Sequence, residues 1–293
     1  MSESDGIYVD HFSLHRRPFT MLPEPDFIYW TDAHSKAMAA LEYGAIARFP
    51  VLVLSGEIGS GKTTLVSELC RRLPSQFNVG QITSITDEPE NILRWALTAF
   101  GQKIEPASDS VQLYQQFRLL LARESRDGKR NILVIDEAQN LSDASLEVLR
   151  LLTNINAGDT ELLQIILIGQ PAFMTRLQSR EQVQLSQRIG AEYHLPLLNT
   201  AETEKYILHR METAGARRRV FSNAACDLIH SVSGGVPRLI NKICDYSLVY
   251  SYSLDRKTVD TAIIDQVVKS QKIFGQTWPS TVVQARFPDR GAG

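Results

Sequence analysis

Eight residues constrain this chain more than any other feature. Gly56-Glu57-Ile58-Gly59-Ser60-Gly61-Lys62-Thr63 fills the pattern GxxxxGK[ST], and Thr64 follows it. The apolar run Val51 to Leu54 leads in, and a helical stretch leads out. Strand, tight loop and helix in that order form a cradle for phosphates. Gly56, Gly59 and Gly61 let the backbone turn so that its N–H groups converge. The helix N-terminus adds partial positive charge. Residues Gly56 through Thr64 are expected to bind ATP. Lys62 would reach the β- and γ-phosphates, and the Thr63 hydroxyl would hold Mg²⁺.

Such a loop needs a sheet to carry it. From residue 50 short apolar runs alternate with helical stretches. Strands are expected at Pro50–Ser55, Phe77–Thr83, Asn131–Asp136, Leu162–Gly169 and Glu192–Pro196. Helices are expected near 62–73, 89–101, 110–127, 143–156 and 171–187. Alternation of this kind implies a parallel sheet covered on both faces. After Pro196 the strands stop. Residues 200–214, 222–232, 236–252 and 258–271 read as helices, with Ser222 and Asn199 or Thr200 as caps. The expected fold is an α/β phosphate-loop core followed by an all-helical lid. Its boundaries read as an N-terminal segment and helix over 1–48, a core over 49–198, a lid over 199–272 and a loose tail over 273–293. Trp278 is the one docking candidate in that tail. Residues 1–30 are rich in proline and aromatics and read as an extended segment packed on a domain.

Three further places carry chemistry. Asn131-Ile132-Leu133-Val134-Ile135-Asp136-Glu137 is an apolar strand ending in two acids. Asp136 would hold Mg²⁺, and Glu137 would accept the proton of the attacking water. The strand Ile165 to Ile168 ends in Gly169-Gln170-Pro171. Ligands gather at strand carboxyl ends in such sheets, which places Gln170 near Glu137 and the γ-phosphate. Arg188, before the last strand, could project into a neighbouring subunit and stabilise developing charge, with Arg176 and Arg180 as competitors. Arg238 follows Gly234-Gly235-Val236-Pro237 and starts a helix, where a cation is disfavoured unless an anion such as a phosphate compensates it.

Composition limits the alternatives. With 31 Lys plus Arg against 33 Asp plus Glu, the net charge of −2 argues against a bulk polyanion binder. Arg217-Arg218-Arg219, with Arg210 nearby, is the densest basic cluster and reads as a solvated loop. Cys70, Cys226 and Cys244 form no CxxC pair and read as reduced, mostly buried thiols. The polar, acidic N-terminus is not a signal peptide, and no apolar run reaches the roughly 18 residues of a membrane span.

Taken together, GEIGSGKTT, ILVIDEAQN, the strand ending IGQP, the LSQRI helix end and GGVPRLIN resemble an AAA+ ATPase. Over roughly residues 10–270 the chain looks like the secretion-associated ATPases of the ExeA/GspA/MshM type. The resemblance implies that Asp136 and Glu137 are the Walker B acids. It puts Gln170 at sensor 1, where Asn, Ser or Thr is commoner, Arg188 at the arginine finger and Arg238 at sensor 2. It also puts Phe27 to His34 near the adenine, against the plainer reading of aromatic packing. Relatives of that type continue into a membrane helix and a peptidoglycan-binding domain. Neither follows the lid in these residues, so direct cell-wall binding is not expected of them.

The functional expectation is an ATPase hydrolysing ATP at subunit interfaces of a ring or filament. It would drive a secretion or envelope-export system, in the cytoplasm or at the inner membrane through a partner. The competing expectation is a DNA-binding regulator of transposition of the TniB/TnsC kind, for which DNA would be the partner.

Overall fold

The computed structural model describes residues 7–21, 24–83, 91–158 and 160–271. The expected tail with Trp278 lies outside them. The chain divides into two compact units. One comprises Asp32–Ile58 and Lys62–Pro196, and the other comprises the residues up to Thr31, Gly59–Gly61 and those from Leu197 onward.

The first unit runs α1 (Asp32–Ile46), β1 (Val51–Gly56), α2 (Lys62–Arg72), β2 (Phe77–Ile82), α3 (Asn91–Ala99), α4 (Ser110–Arg126) and β3 (Arg130–Ile135). It continues with α5 (Asp143–Leu152), β4 (Asn156–Ala157), β5 (Thr160–Glu161), β6 (Leu163–Gly169), α6 (Pro171–Leu177), α7 (Val183–Ser186) and β7 (Ile189–Leu195). Five strands form one parallel sheet in the order β2-β3-β6-β1-β7. β1 and β6 are central and buried along their whole length, which is why their sequences are mostly apolar, with Val51–Leu54 and Ile165–Ile168 as uninterrupted runs. One face packs Val51, Val53, Leu133, Ile165 and Leu167 against Leu97, Phe117, Leu121, Leu146 and Leu149 of the helices. α1 and α2 contact β1. α4 starts on an Asp109–Gln112 capping box and α5 on the Ser142 hydroxyl, which satisfy backbone N–H groups left over at the helix ends.

Three local readings are corrected by the structure. The helix expected over 143–156 stops at Leu152, and a small antiparallel hairpin, β4–β5, follows through Gly158 at φ 61°. The helix expected over 171–187 breaks into α6, a 3-10 turn at Arg180–Gln182 and α7. The last strand begins at Ile189 rather than Glu192. β7 lies at the sheet edge, so its residues alternate half-buried and exposed, and its first residues, Ile189-Gly190-Ala191, lack the apolar–polar alternation that marks a strand.

The second unit holds α8 (Thr200–Thr213), α9 (Asn223–Ser233), α10 (Pro237–Ser253) and α11 (Thr261–Gln271). Asn199 and Ser222 are the caps of α8 and α9. Gly234 ends α9 in the left-handed region at φ 61°. At Gly235, φ 76°, a Cβ would lie 2.0 Å from the Leu198 carbonyl oxygen. Both glycines are thus required by the backbone itself.

The proline- and aromatic-rich N-terminal segment belongs to this helical unit. Tyr8, Phe12, Phe19 and Phe27 are buried in one core with Ile207, Phe221, Ile229, Ile240 and Leu248. The Arg17 guanidinium donates to Asp245 at 2.8 Å, and the Tyr8 hydroxyl donates to the same carboxylate. Arg210 is buried too. Its Nε donates to Pro18 O at 2.6 Å, its Nη1 donates to the Tyr206 hydroxyl at 3.1 Å, and its guanidinium covers the Phe27 ring at 4.7 Å. Arg16 lies 4.3 Å from the centroid of that ring. The Phe27 ring is therefore taken up by packing. Phe27→Ala should cost the helical unit about 3–5 kcal/mol, read by chemical denaturation; a loss below about 1 kcal/mol would contradict this packing account.

The basic cluster also resolves into separate parts. Arg210 is a core residue. Arg219 donates to Glu204 at 2.6 Å and to Phe221 O at 2.8 Å. Arg217 and Arg218 are exposed. The three cysteines are free thiols, and burial pushes Cys226 up to about 11. Among the described residues no helix is long and apolar enough to cross a membrane.

Candidate functional site

β3, β6 and β1 are neighbours and parallel, so their carboxyl ends open at one edge of the sheet. β1 ends at Gly56, β3 at Ile135 and β6 at Gly169. The chain therefore delivers the phosphate loop, the Asp136-Glu137 pair and Gln170 to the same edge. This follows from strand order, although the three segments are far apart in sequence.

Lys62 is the first residue of α2 and is buried. Its Nζ donates to Gly56 O and Glu57 O, both at 2.8 Å. Burial pulls its pKa down, and the charges of Glu137, Asp136 and Glu57 oppose that shift. A cation in this setting favours an added anion, since burial alone disfavours its charge. Gly59 and Gly61 hold φ of 77° and 102°, where a side chain would be strained. Between them the Ser60 hydroxyl is buried with no hydrogen-bond partner among the described residues. An orphaned buried hydroxyl in a glycine loop beside a buried lysine fits a ligand rich in acceptor oxygens.

The Thr63 hydroxyl donates to Asp136 Oδ2 at 2.6 Å. The other oxygen of Asp136 accepts from the Glu137 N–H at 2.8 Å, and the Asp136 N–H donates to Ile82 O at 2.9 Å. Asp136 is thus fixed by three contacts. A hydroxyl and one carboxylate suit Mg²⁺, which keeps several waters and takes its other ligands from phosphate. Among the described residues no group of three or more His, Cys, Asp or Glu side chains could hold a metal by itself.

Glu137 is exposed, and its backbone sits in the left-handed region at φ 52°, ψ 40°. That conformation costs a non-glycine residue about 1–3 kcal/mol and persists only where its surroundings enforce it. A 3-10 turn, Ala138–Asn140, follows at once, anchored by the fully buried Ala138. Gln139 in this turn is a residue that the sequence reading passed over. Its amide N–H donates to the Glu137 carboxylate, and its Oε1 accepts from the Gln170 N–H at 3.1 Å. The only signal was its place two residues after Glu137 in the string IDEAQN. Gln170 is the N-cap residue of α6, with no capping bond from its side chain. A second unforeseen contact joins β1 to β7, where Ser55 Oγ and His194 Nδ1 are 3.1 Å apart. They border a cavity of about 250 Å³ with Pro171, Met174, Gln178 and Glu192.

The arginines differ in their engagement. Arg176 donates to Asp143 Oδ1 at 2.6 and 3.0 Å and to Leu141 O at 2.5 Å. Arg188 is half-buried, with its Nη2 donating to Asn154 Oδ1 and its Nη1 to Thr153 O at 3.5 Å. Arg180 is exposed. Arg238 is exposed in the first turn of α10, just after Pro237.

Comparison with known proteins agrees with the fold. Residues 49–177 match the AAA domain family. The chain is 34% identical over 247 residues to general secretion pathway protein A of Aeromonas hydrophila, an alignment covering 84% of this chain and 45% of that protein. The chain thus spans less than half the length of this relative. Among solved structures, the ORC2 protein of Aeropyrum pernix, determined as ADPNP–ADP complexes, superposes with a TM-score of 0.68 at 17% identity, over 87% of this chain and 71% of that one. Cdc6p of Pyrobaculum aerophilum gives 0.68 at 15% identity, over 89% and 70%. The RuvB Holliday junction branch migration motor of Thermotoga maritima gives 0.52 at 19%, over 87% and 72%. At those identities the likeness is one of fold. With its phosphate loop, its acid-tipped β3, its sheet order and its match to the AAA domain over residues 49–177, this chain has the fold of a P-loop AAA+ domain and is similar in sequence to general secretion pathway protein A.

Proposed function

We propose that this chain hydrolyses ATP to ADP and phosphate in a self-associated ring or filament, and that the cycle drives a secretion or envelope-export assembly. The observation that carries the chemistry is the convergence of Lys62, Thr63, Asp136 and Glu137 on one sheet edge. Lys62 and the loop N–H groups hold the phosphates. Thr63 and Asp136 would hold Mg²⁺, which neutralises phosphate charge when bound. Glu137 takes a proton from water as its oxygen bonds to the γ-phosphorus and the bridging P–O bond breaks. Gln170 contacts the γ-phosphate or the water. Arg188, and Arg238 in the helical unit, stabilise the charge that develops on the leaving phosphate oxygens.

Support for the secretion role is the 34% identity to general secretion pathway protein A. Since this chain spans 45% of that protein, the export partner is part of the proposal. The test of an interface-acting arginine is subunit mixing. Arg188→Ala and Glu137→Gln subunits should each be inactive alone, and mixing them should restore part of the activity. Absence of rescue at every ratio would remove Arg188 as a trans-acting group. The same experiment with Arg180→Ala would then test its exposed neighbour.

A further inference from the structure

We infer that Gln139 is a positioning residue that holds the Glu137 carboxylate and ties it to the start of α6. The inference rests on the proposal that Glu137 is the base. The Gln139 side chain bridges two groups of opposite character. An ionised carboxylate can only accept a hydrogen bond, and the Gln170 backbone N–H can only donate one. A single amide orientation satisfies both: Oε1 faces Gln170 N at 3.1 Å, and Nε2 donates to Glu137 Oε2. Neither a carboxylate nor an apolar side chain of this size can do both.

The frame around this bridge is stiff. Ala138 is fully buried. The Asn140 N–H donates to Glu137 O at 2.9 Å and the Leu141 N–H to Ala138 O at 3.1 Å, closing the turn that carries Gln139. Glu137 itself is held at positive φ. Its carboxylate is on an exposed side chain with several rotatable bonds, and the Gln139 contact selects among its positions. The other end of the bridge is the backbone of the residue that follows β6. Movement of the β6–α6 junction is thereby passed to the base through one side chain. Gln139 is half-buried, so replacing it should leave the fold intact.

The test compares ATP affinity with single-turnover hydrolysis in the full chain. Gln139→Met removes both bonds at nearly constant size. It should keep ATP affinity within about twofold while slowing the hydrolytic step about tenfold. Gln139→Glu keeps the acceptor for Gln170 but sets a second carboxylate beside Glu137, so it should be slowed at least as much. In a Glu137→Gln background, Gln139→Met should add less than about a twofold loss, because both changes act through one group. A rate within about twofold of the parent for Gln139→Met, or a fall in affinity that accounts for the fall in rate, overturns the inference. A further tenfold loss in the Glu137→Gln background overturns it as well. A normal rate for Glu137→Gln alone overturns the base assignment, whereas a slow Glu137→Gln beside a normal Gln139→Met overturns only the role of Gln139.

Discussion

Glu137→Gln should bind ATP with near-parental affinity and hydrolyse it about 100-fold or more slowly. A positioned general base contributes about 10²–10⁴-fold to such a step. The substitution keeps the size of the side chain and one acceptor oxygen and removes its ability to take a proton. Glu137 does not hold the phosphate loop together: the loop contacts run from Lys62 to Gly56 and Glu57, and from Thr63 to Asp136. Binding and turnover should therefore separate. Equilibrium binding of a fluorescent ATP analogue and phosphate release read the two halves. Turnover close to the parent would take Glu137 out of the reaction.

Lys62→Ala should fail at the earlier step. The ammonium is buried and held by two backbone carbonyls at 2.8 Å. Its removal takes away the one cation that the loop itself supplies. A charge-assisted bond to phosphate is worth about 1.5–3 kcal/mol, so ATP affinity should fall about 10- to 100-fold or more, to the point where binding is lost at ordinary concentrations. The fold should persist, since the alanine remains a good helix former at the start of α2. Isothermal titration with circular dichroism on the same sample checks both statements. Unchanged ATP affinity would refute the assignment of this loop to phosphate.

These sites were legible because their chemistry tolerates few residue types. A loop that wraps phosphate needs glycine at Gly59 and Gly61, where the backbone adopts positive φ. An acid pair at the end of a buried strand reads as apolar residues followed by Asp136 and Glu137. The central strands were equally legible, because burial on both faces leaves β1, β3 and β6 mostly apolar. The edge strand β7 was partly lost, since its first residues, Ile189, Gly190 and Ala191, give no alternation of apolar and polar side chains. The break between α6 and α7 occurs at Gln178 and Ser179 without proline or glycine to announce it.

What the sequence hid was long-range pairing. Arg210 looked like a member of a surface basic cluster. Its burial depends on Pro18 and Phe27, some 190 residues earlier in the chain. Gln139 was passed over, because the role proposed for it rests on a contact to Gln170, the residue after the neighbouring strand β6. Side chains of this kind carry no local pattern, because their partners are fixed by topology and not by spacing.

The measurement that tests the central claim most directly is the ATPase rate per subunit as a function of protein concentration, with and without duplex DNA. Hydrolysis at subunit interfaces predicts a rate per subunit that rises with concentration to a plateau and is indifferent to DNA. A rate per subunit that is constant down to the lowest concentrations, or one that stays near zero until DNA is added, would contradict it.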